Sequence, residues 1–250
     1  MFLGLALLSN VALAQTYPSI SNYTFAGTNP NVGGGLVAAS VKFTVTASGA
    51  VTIDLSNTYT GVTANNTDVL EGILFDTTIA TKAGTTAAGT WAQVATGSYL
   101  LDASGNIVGS AGADLSTLGN YKFANLGTGI STDGLVHNYG ISSTAAYGIS
   151  TGAGKGGIVS TATYPTGPGS AKLGSANKTP WTDHEAIFSL SGITGLTNVN
   201  QITNVYFIYS SAGTASVKAT VTPEPGTLTL LGAAVITGGT WIRKRKRARR

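Results

Sequence analysis

The chain has no cysteine, which removes disulfides, catalytic thiols and thiolate metal ligands from consideration. Charge is scarce as well: Asp, Glu, Lys and Arg make up 10% of 250 residues, against about 25% in typical soluble proteins. Only two histidines occur, His137 and His184. Arginine is missing from residues 1–242 and then appears five times, as Arg243, Arg245, Arg247, Arg249 and Arg250. Lys244 and Lys246 lie among them, and taking these seven cations from the net charge of +4 leaves −3 for everything upstream. A weakly acidic body with a basic end is a poor nucleic-acid binder, since nothing aromatic or helical supports the basic block.

What is abundant is small. Glycine alone supplies 34 residues, and Ser, Thr, Ala and Asn fill the spaces between short β-branched runs. Alternation with period two marks strands. Val41, Phe43 and Val45 alternate with Lys42 and Thr44, while Val51, Ile53 and Leu55 alternate with Thr52 and Asp54. Ser48-Gly49 between them predicts a hairpin turn. Residues 69–75 are continuously apolar apart from Glu71 and Gly72, as a central strand would be. Residues 186–190, 205–209 and 217–221 repeat the pattern, with Val217, Ala219 and Val221 on one face and Lys218 and Thr220 on a wet one. The fold class expected is all-β: an antiparallel, jelly-roll-like β-sandwich with long Gly/Ser/Thr-rich loops, plus one C-terminal transmembrane helix. Residues 103–178 are the least patterned, with isolated apolar positions such as Ile107, Leu118, Tyr121, Phe123, Ile141 and Ile149.

The two ends are of a different kind. Residues 226–242 carry no charge and are long enough for a short membrane-spanning helix. Trp241 lies at the expected interface, and the cations that follow orient the end toward the cytoplasm by the positive-inside rule. Pro225 suits a helix start, where its missing N–H costs nothing. At the other end, residues 2–8 are apolar and Ala12-Leu13-Ala14 forms a small-x-small cleavage site, with Gln15 as the mature start. The absent basic n-region leads to the expectation that the leader begins upstream of Met1. The expected organisation is a signal peptide over residues 1–14, an extracytoplasmic β domain over 15–222 and a sorting tail over 223–250.

Pro223-Glu224-Pro225, an apolar span and an Arg-rich terminus, in that order, resemble the PEP-CTERM sorting signal of bacterial exosortase substrates. The resemblance implies cleavage by a membrane-bound exosortase near Pro223, Glu224 and Pro225, after export by the Sec machinery and anchoring in the membrane. The body carries a second resemblance. Asp68-Val-Leu-Glu-Gly-Ile-Leu-Phe-Asp76, Thr90-Trp91-Ala92, His137-Asn-Tyr-Gly-Ile-Ser-Ser143, Phe188-Ser-Leu-Ser-Gly192 and Ile202-Thr-Asn-Val-Tyr-Phe207 look like the recurring blocks of the XDD-type exosortase-dependent surface proteins. That family implies an exported β-rich surface protein with no assigned activity.

Candidate chemistry is thin. Gly148-Ile-Ser150-Thr-Gly152 has the spacing of a nucleophile elbow but lacks the apolar strand before it and the helix after it. Gly154-Lys155 fails as a phosphate loop, since Ile149 and Gly156 occupy positions that need Gly and Ser or Thr. Asp183-His184-Glu185 would have to leave a regular strand to converge on an ion, because neighbours on a strand point to opposite faces. Asn65, Asn66 and Asp68, and Asp102 with Asn106, are oxygen-rich turns that suit calcium but suit plain turn formation better. Trp91 and Trp181 would serve a sugar-stacking platform if exposed and core packing if not. No catalytic residue, metal or cofactor is assigned. The function expected is a structural or adhesive envelope protein, ahead of a carbohydrate-binding module for the exopolysaccharide layer and a secreted hydrolase.

Overall fold

A computed structural model describes residues 19–28, 36–63, 68–79, 86–118, 120–132, 135–143, 149, 156–160, 180–209 and 215–222. The expected leader with Ala14 and Gln15, Ser150, and the expected sorting tail with Pro223, Glu224, Pro225 and Arg243, Lys244, Arg245, Lys246, Arg247, Arg249 and Arg250 lie outside these. Among the described residues the fold is all-β, with fifteen strands and one three-residue 3-10 turn, Val199–Gln201.

In chain order the strands are β1 (Ser19–Thr28), β2 (Leu36–Val45), β3 (Val51–Asn57), β4 (Leu70–Thr77), β5 (Thr86–Val94), β6 (Leu100–Leu101), β7 (Ile107–Gly109) and β8 (Lys122–Thr132). There follow β9 (Leu135–Ser142), β10 (Ile158–Val159), β11 (Trp181–Asp183), β12 (Glu185–Ser191), β13 (Ile202–Tyr209), β14 (Ala215–Lys218) and β15 (Thr220–Thr222). One sheet has the order β15-β1-β2-β3-β12-β5. The other runs β14-β13-β4-β10-β11-β6-β7, with β9 also on β4 and β8 on β9. Pairing is antiparallel except for β10 with β11, so the second sheet is mixed where the sequence pointed to antiparallel pairing throughout.

The hairpin of β2 and β3 forms in the expected place, with Val45 opposite Val51. Its turn contains Gly49 at φ 79°, a conformation that glycine adopts without a Cβ clash. A Cβ there would also lie 2.8 Å from the Ile193 carbonyl oxygen. Every residue of β4 is buried, because neighbouring strands flank it and both of its faces are covered. Gly72 in its middle permits the close approach of β9: a Cβ would fall 1.9 Å from the Ile141 carbonyl oxygen.

The two sheets meet through aromatic rings. Tyr23 and Phe43 of the first sheet lie edge-on at 5.7 Å, Phe43 meets Phe75 of the second at 5.3 Å, and Phe75 stacks on Tyr139 at 5.2 Å. Such pairs add about 0.5–1.5 kcal/mol each beyond their area burial. A second set joins Trp91, Phe188 and Tyr121, at 6.1 and 5.0 Å. Polar ties reinforce the seam: the Tyr23 hydroxyl donates to the Ile202 carbonyl at 2.9 Å, and Asn57 Nδ2 donates to the Ile158 carbonyl at 3.0 Å.

Two findings refine or correct the sequence reading. The poorly patterned stretch contains a long hairpin, β8 with β9, and of its apolar positions Tyr121, Ile141 and Ile149 are buried while Ile107 and Leu118 are exposed. Residues 217–221 are not one strand with one wet face. Val217 and Ala219 enter the core, but the chain changes sheets at Ala219, and Val221 is 61% exposed. Alternation continues unbroken across the switch, so no local pattern marks it.

His184 makes a similar switch from β11 to β12. Its φ is 62°, its N–H donates to the Val159 carbonyl and its carbonyl accepts from Asn57 N–H, both at 2.9 Å. It is thus a corner residue bonded to both sheets. Phe75→Ala is expected to lower stability by about 3–5 kcal/mol, whereas His184→Gly relaxes a left-handed backbone and stays within about 1 kcal/mol of wild type. Urea denaturation followed by tryptophan fluorescence measures both.

Candidate functional site

Two places in the fold bear on the sequence expectations: the sheet edge at Thr220–Thr222, just before Pro223, and a buried carboxylate on β4.

At the edge, the last core contact among the described residues is Ala219, whose N–H donates to the Val205 carbonyl at 2.9 Å. The next three residues form β15, opposite Asn22, Tyr23 and Thr24 of β1. All three are exposed. Beyond the ladder they are held by Thr220 Oγ1 donating to the Thr24 carbonyl at 3.1 Å and by a 2.8 Å contact between the Thr24 and Thr222 hydroxyls. Pro223 follows, with no N–H to extend the ladder. Because the pairing is antiparallel, Thr222 lies beside Asn22, three residues from the first described residue, Ser19. The described body therefore begins and ends within about 10 Å along one sheet edge.

The carboxylate is Asp76, near the end of β4. Its Oδ1 accepts the Asn138 N–H at 2.7 Å, and Oδ2 accepts Asn204 Nδ2 at 3.1 Å. Asn204 reaches it from a position with φ 48°, where β13 slips register between Thr203 and Tyr206. His137 is fully buried, with Nδ1 3.3 Å from Asp76 Oδ2 and its ring edge-on to Tyr206 at 4.8 Å. That nitrogen is within ion-pair range but off the line of a good hydrogen bond, and Nε2 has no hydrogen-bond partner. Burial pushes the Asp76 carboxyl up, yet the His137 ring, the Asn204 amide and the Asn138 N–H together outweigh it and hold the group below its ordinary value.

An Asp–His pair is two parts of a proton relay, which also needs a nucleophile within hydrogen-bond reach of the outer nitrogen. Nε2 is sealed inside instead, so the arrangement acts as a clip joining β4, β9 and β13. The sequence blocks that contain Asp76 and His137 lie far apart in the chain and carry no sign of this pairing. Only the β4–β9 ladder brings the two residues together.

The other candidates separate. Asp183 lies on β11 and Glu185 on β12, in different sheets, with His184 between them as the corner. Burial raises the Asp183 carboxyl, opposed by His184, and His184 Nδ1 lies 3.2 Å from the Asn57 carbonyl. Asp102 spends its carboxylate on its own turn, accepting from Ser104 N–H at 2.8 Å and from Asn106 N–H and Nδ2 at 2.9 Å. Asp68 is buried, and Asn65 and Asn66 lie outside the described residues. Among the described residues no trio of His, Asp and Glu is placed to hold a metal ion. Trp181 is buried, Trp91 is half-buried and packs on Phe188, and Tyr99, at 39% exposure, is the most exposed described aromatic.

Among the described residues no helix is long and apolar enough to cross a membrane, and residues 226–242 fall outside them. No family model, curated protein or solved structure matches the chain.

Asp76 generates a pH prediction. Its folded-state pKa is depressed, so its stabilisation is fully present above about pH 4, the ordinary carboxylate value, and is lost as pH falls through the lowered one. Asp76→Asn should cost about 1–3 kcal/mol at pH 7 and flatten the stability profile below about pH 4, read from urea midpoints as the pH is lowered. An unchanged acid slope in the variant would contradict the assignment.

Proposed function

We propose that this chain is an exported bacterial surface protein whose β domain is carried out of the cytoplasm, held by a C-terminal transmembrane helix over residues 226–242, and then processed by an exosortase at Pro223, Glu224 and Pro225. We read the two sheets as a jelly-roll-like sandwich and the body as a structural or adhesive component of the envelope or extracellular matrix. Sec-dependent export supplies it, the membrane holds it before processing, and the exopolysaccharide layer is its adhesive surrounding.

The observation that carries the reading is the order of Pro-Glu-Pro, uncharged span and seven cations at one end of a body in a chain with only 10% charged residues. Geometry supports it: the last described strand, β15, lies exposed at a sheet edge immediately before Pro223. The lack of cysteine fits an outside domain whose stability comes from a packed interior rather than crosslinks. A sugar-binding platform would need adjacent open aromatics, and among the described residues Trp91 and Trp181 are taken up by packing.

Intact-mass measurement of the surface-fraction protein should find a form lacking Arg243–Arg250. Replacing Pro223 and Pro225 by Ala should leave the full tail on the chain and shift it to the membrane fraction. A surface form that keeps its basic end would sink the processing reading.

A further inference from the structure

We propose that β15 is a detachable part of the processing substrate: Thr220–Thr222 leaves β1 and enters the processing enzyme as an extended strand, with Val217 and Ala219 as the fixed point behind it. This rests on the processing reading above and adds the surface that the enzyme engages.

A sharp boundary in packing is the basis. Val217 and Ala219 belong to the core cluster, and Ala219 is bonded to β13. One residue later all side chains are exposed, and the strand is three residues long at the edge of its sheet. Val221 sits opposite the inward-facing Tyr23, yet remains 61% exposed, so its side chain is not sealed into the core. Tyr23 itself is held without β15, through Phe43 and the Ile202 carbonyl. Peeling β15 away therefore removes edge hydrogen bonds and little buried apolar area, and such segments open locally far below the global stability.

Geometry also requires the opening. Pro223 follows Thr222 directly, and the apolar span begins at residue 226. A membrane-bound protease that encloses the bonds around Pro223–Pro225 must also enclose the residues just upstream, and in the closed fold those are paired with β1. Releasing three residues supplies about 10 Å of extended chain, whose free N–H and C=O groups suit strand addition to the enzyme.

The cysteine-free chain makes the test clean. Asn22→Cys with Thr222→Cys places two thiols on directly opposed residues, within disulfide reach for either type of antiparallel pair. In cells with an exosortase, the crosslinked full-length chain should lose its tail at least tenfold more slowly than either single-cysteine chain, and a thiol reductant should restore the rate. Equal processing of crosslinked and single-cysteine chains would overturn the proposal; so would failure of the two thiols to join under oxidising conditions. A wild-type chain that keeps its tail would instead overturn the processing reading itself. Independently, amides of Thr220–Thr222 should exchange at least a hundredfold faster than those of Val205–Ile208, and equal protection would contradict detachment.

Discussion

The contact between Phe43 and Phe75 is the point on which the rest of this protein depends. One ring comes from the first sheet and one from the second, 5.3 Å apart, and on either side Tyr23 and Tyr139 continue the row. With no disulfide available, such packing must hold two sheets whose strands are small-residue and weakly hydrophobic at their margins. Close packing of this kind rewards position: Gly72 lets β9 approach, and the inward alternation of β2 and β3 fixes which face meets the rings.

That central seam explains why the edges are expendable. β15 contributes no buried side chain, and the residues that lock the terminus into the core lie just upstream of it. Among the described residues the core is complete without β15, and Pro223 follows this exposed edge strand directly in sequence. The Asp76 clip works in the opposite sense, binding three central strands through a carboxylate that needs its partners to stay charged in a dry setting.

Much of this was legible in the chain. Val41, Phe43 and Val45 against Val51, Ile53 and Leu55 declared the first hairpin, because one buried and one solvated face leave a period-two record. The apolar run at β4 declared a strand covered on both sides. The β8–β9 hairpin was obscured because Gly127, Gly129 and Gly140 interrupt its alternation. The sheet switch at Ala219 left no trace either, since alternation continues through it, whereas at His184 the polar run Asp183-His184-Glu185 interrupts the apolar pattern without showing that the chain changes sheets. The Asp76 cluster depends on register between distant strands, and a single sequence does not encode register in any local pattern. The Asp102 turn was legible because Asp and Asn are good turn formers, and its carboxylate is taken up by Ser104 and Asn106 of the same turn.

The central proposal is one of topology, with the body outside the cytoplasm and the basic end inside it. Two single-cysteine chains, Ser48→Cys in the β2–β3 turn and Ala248→Cys in the tail, test it in cells lacking the processing enzyme. A membrane-impermeant maleimide should label the thiol at position 48 in intact cells, and the one at position 248 only after lysis. Labelling of both positions in intact cells, or of neither, would contradict the account.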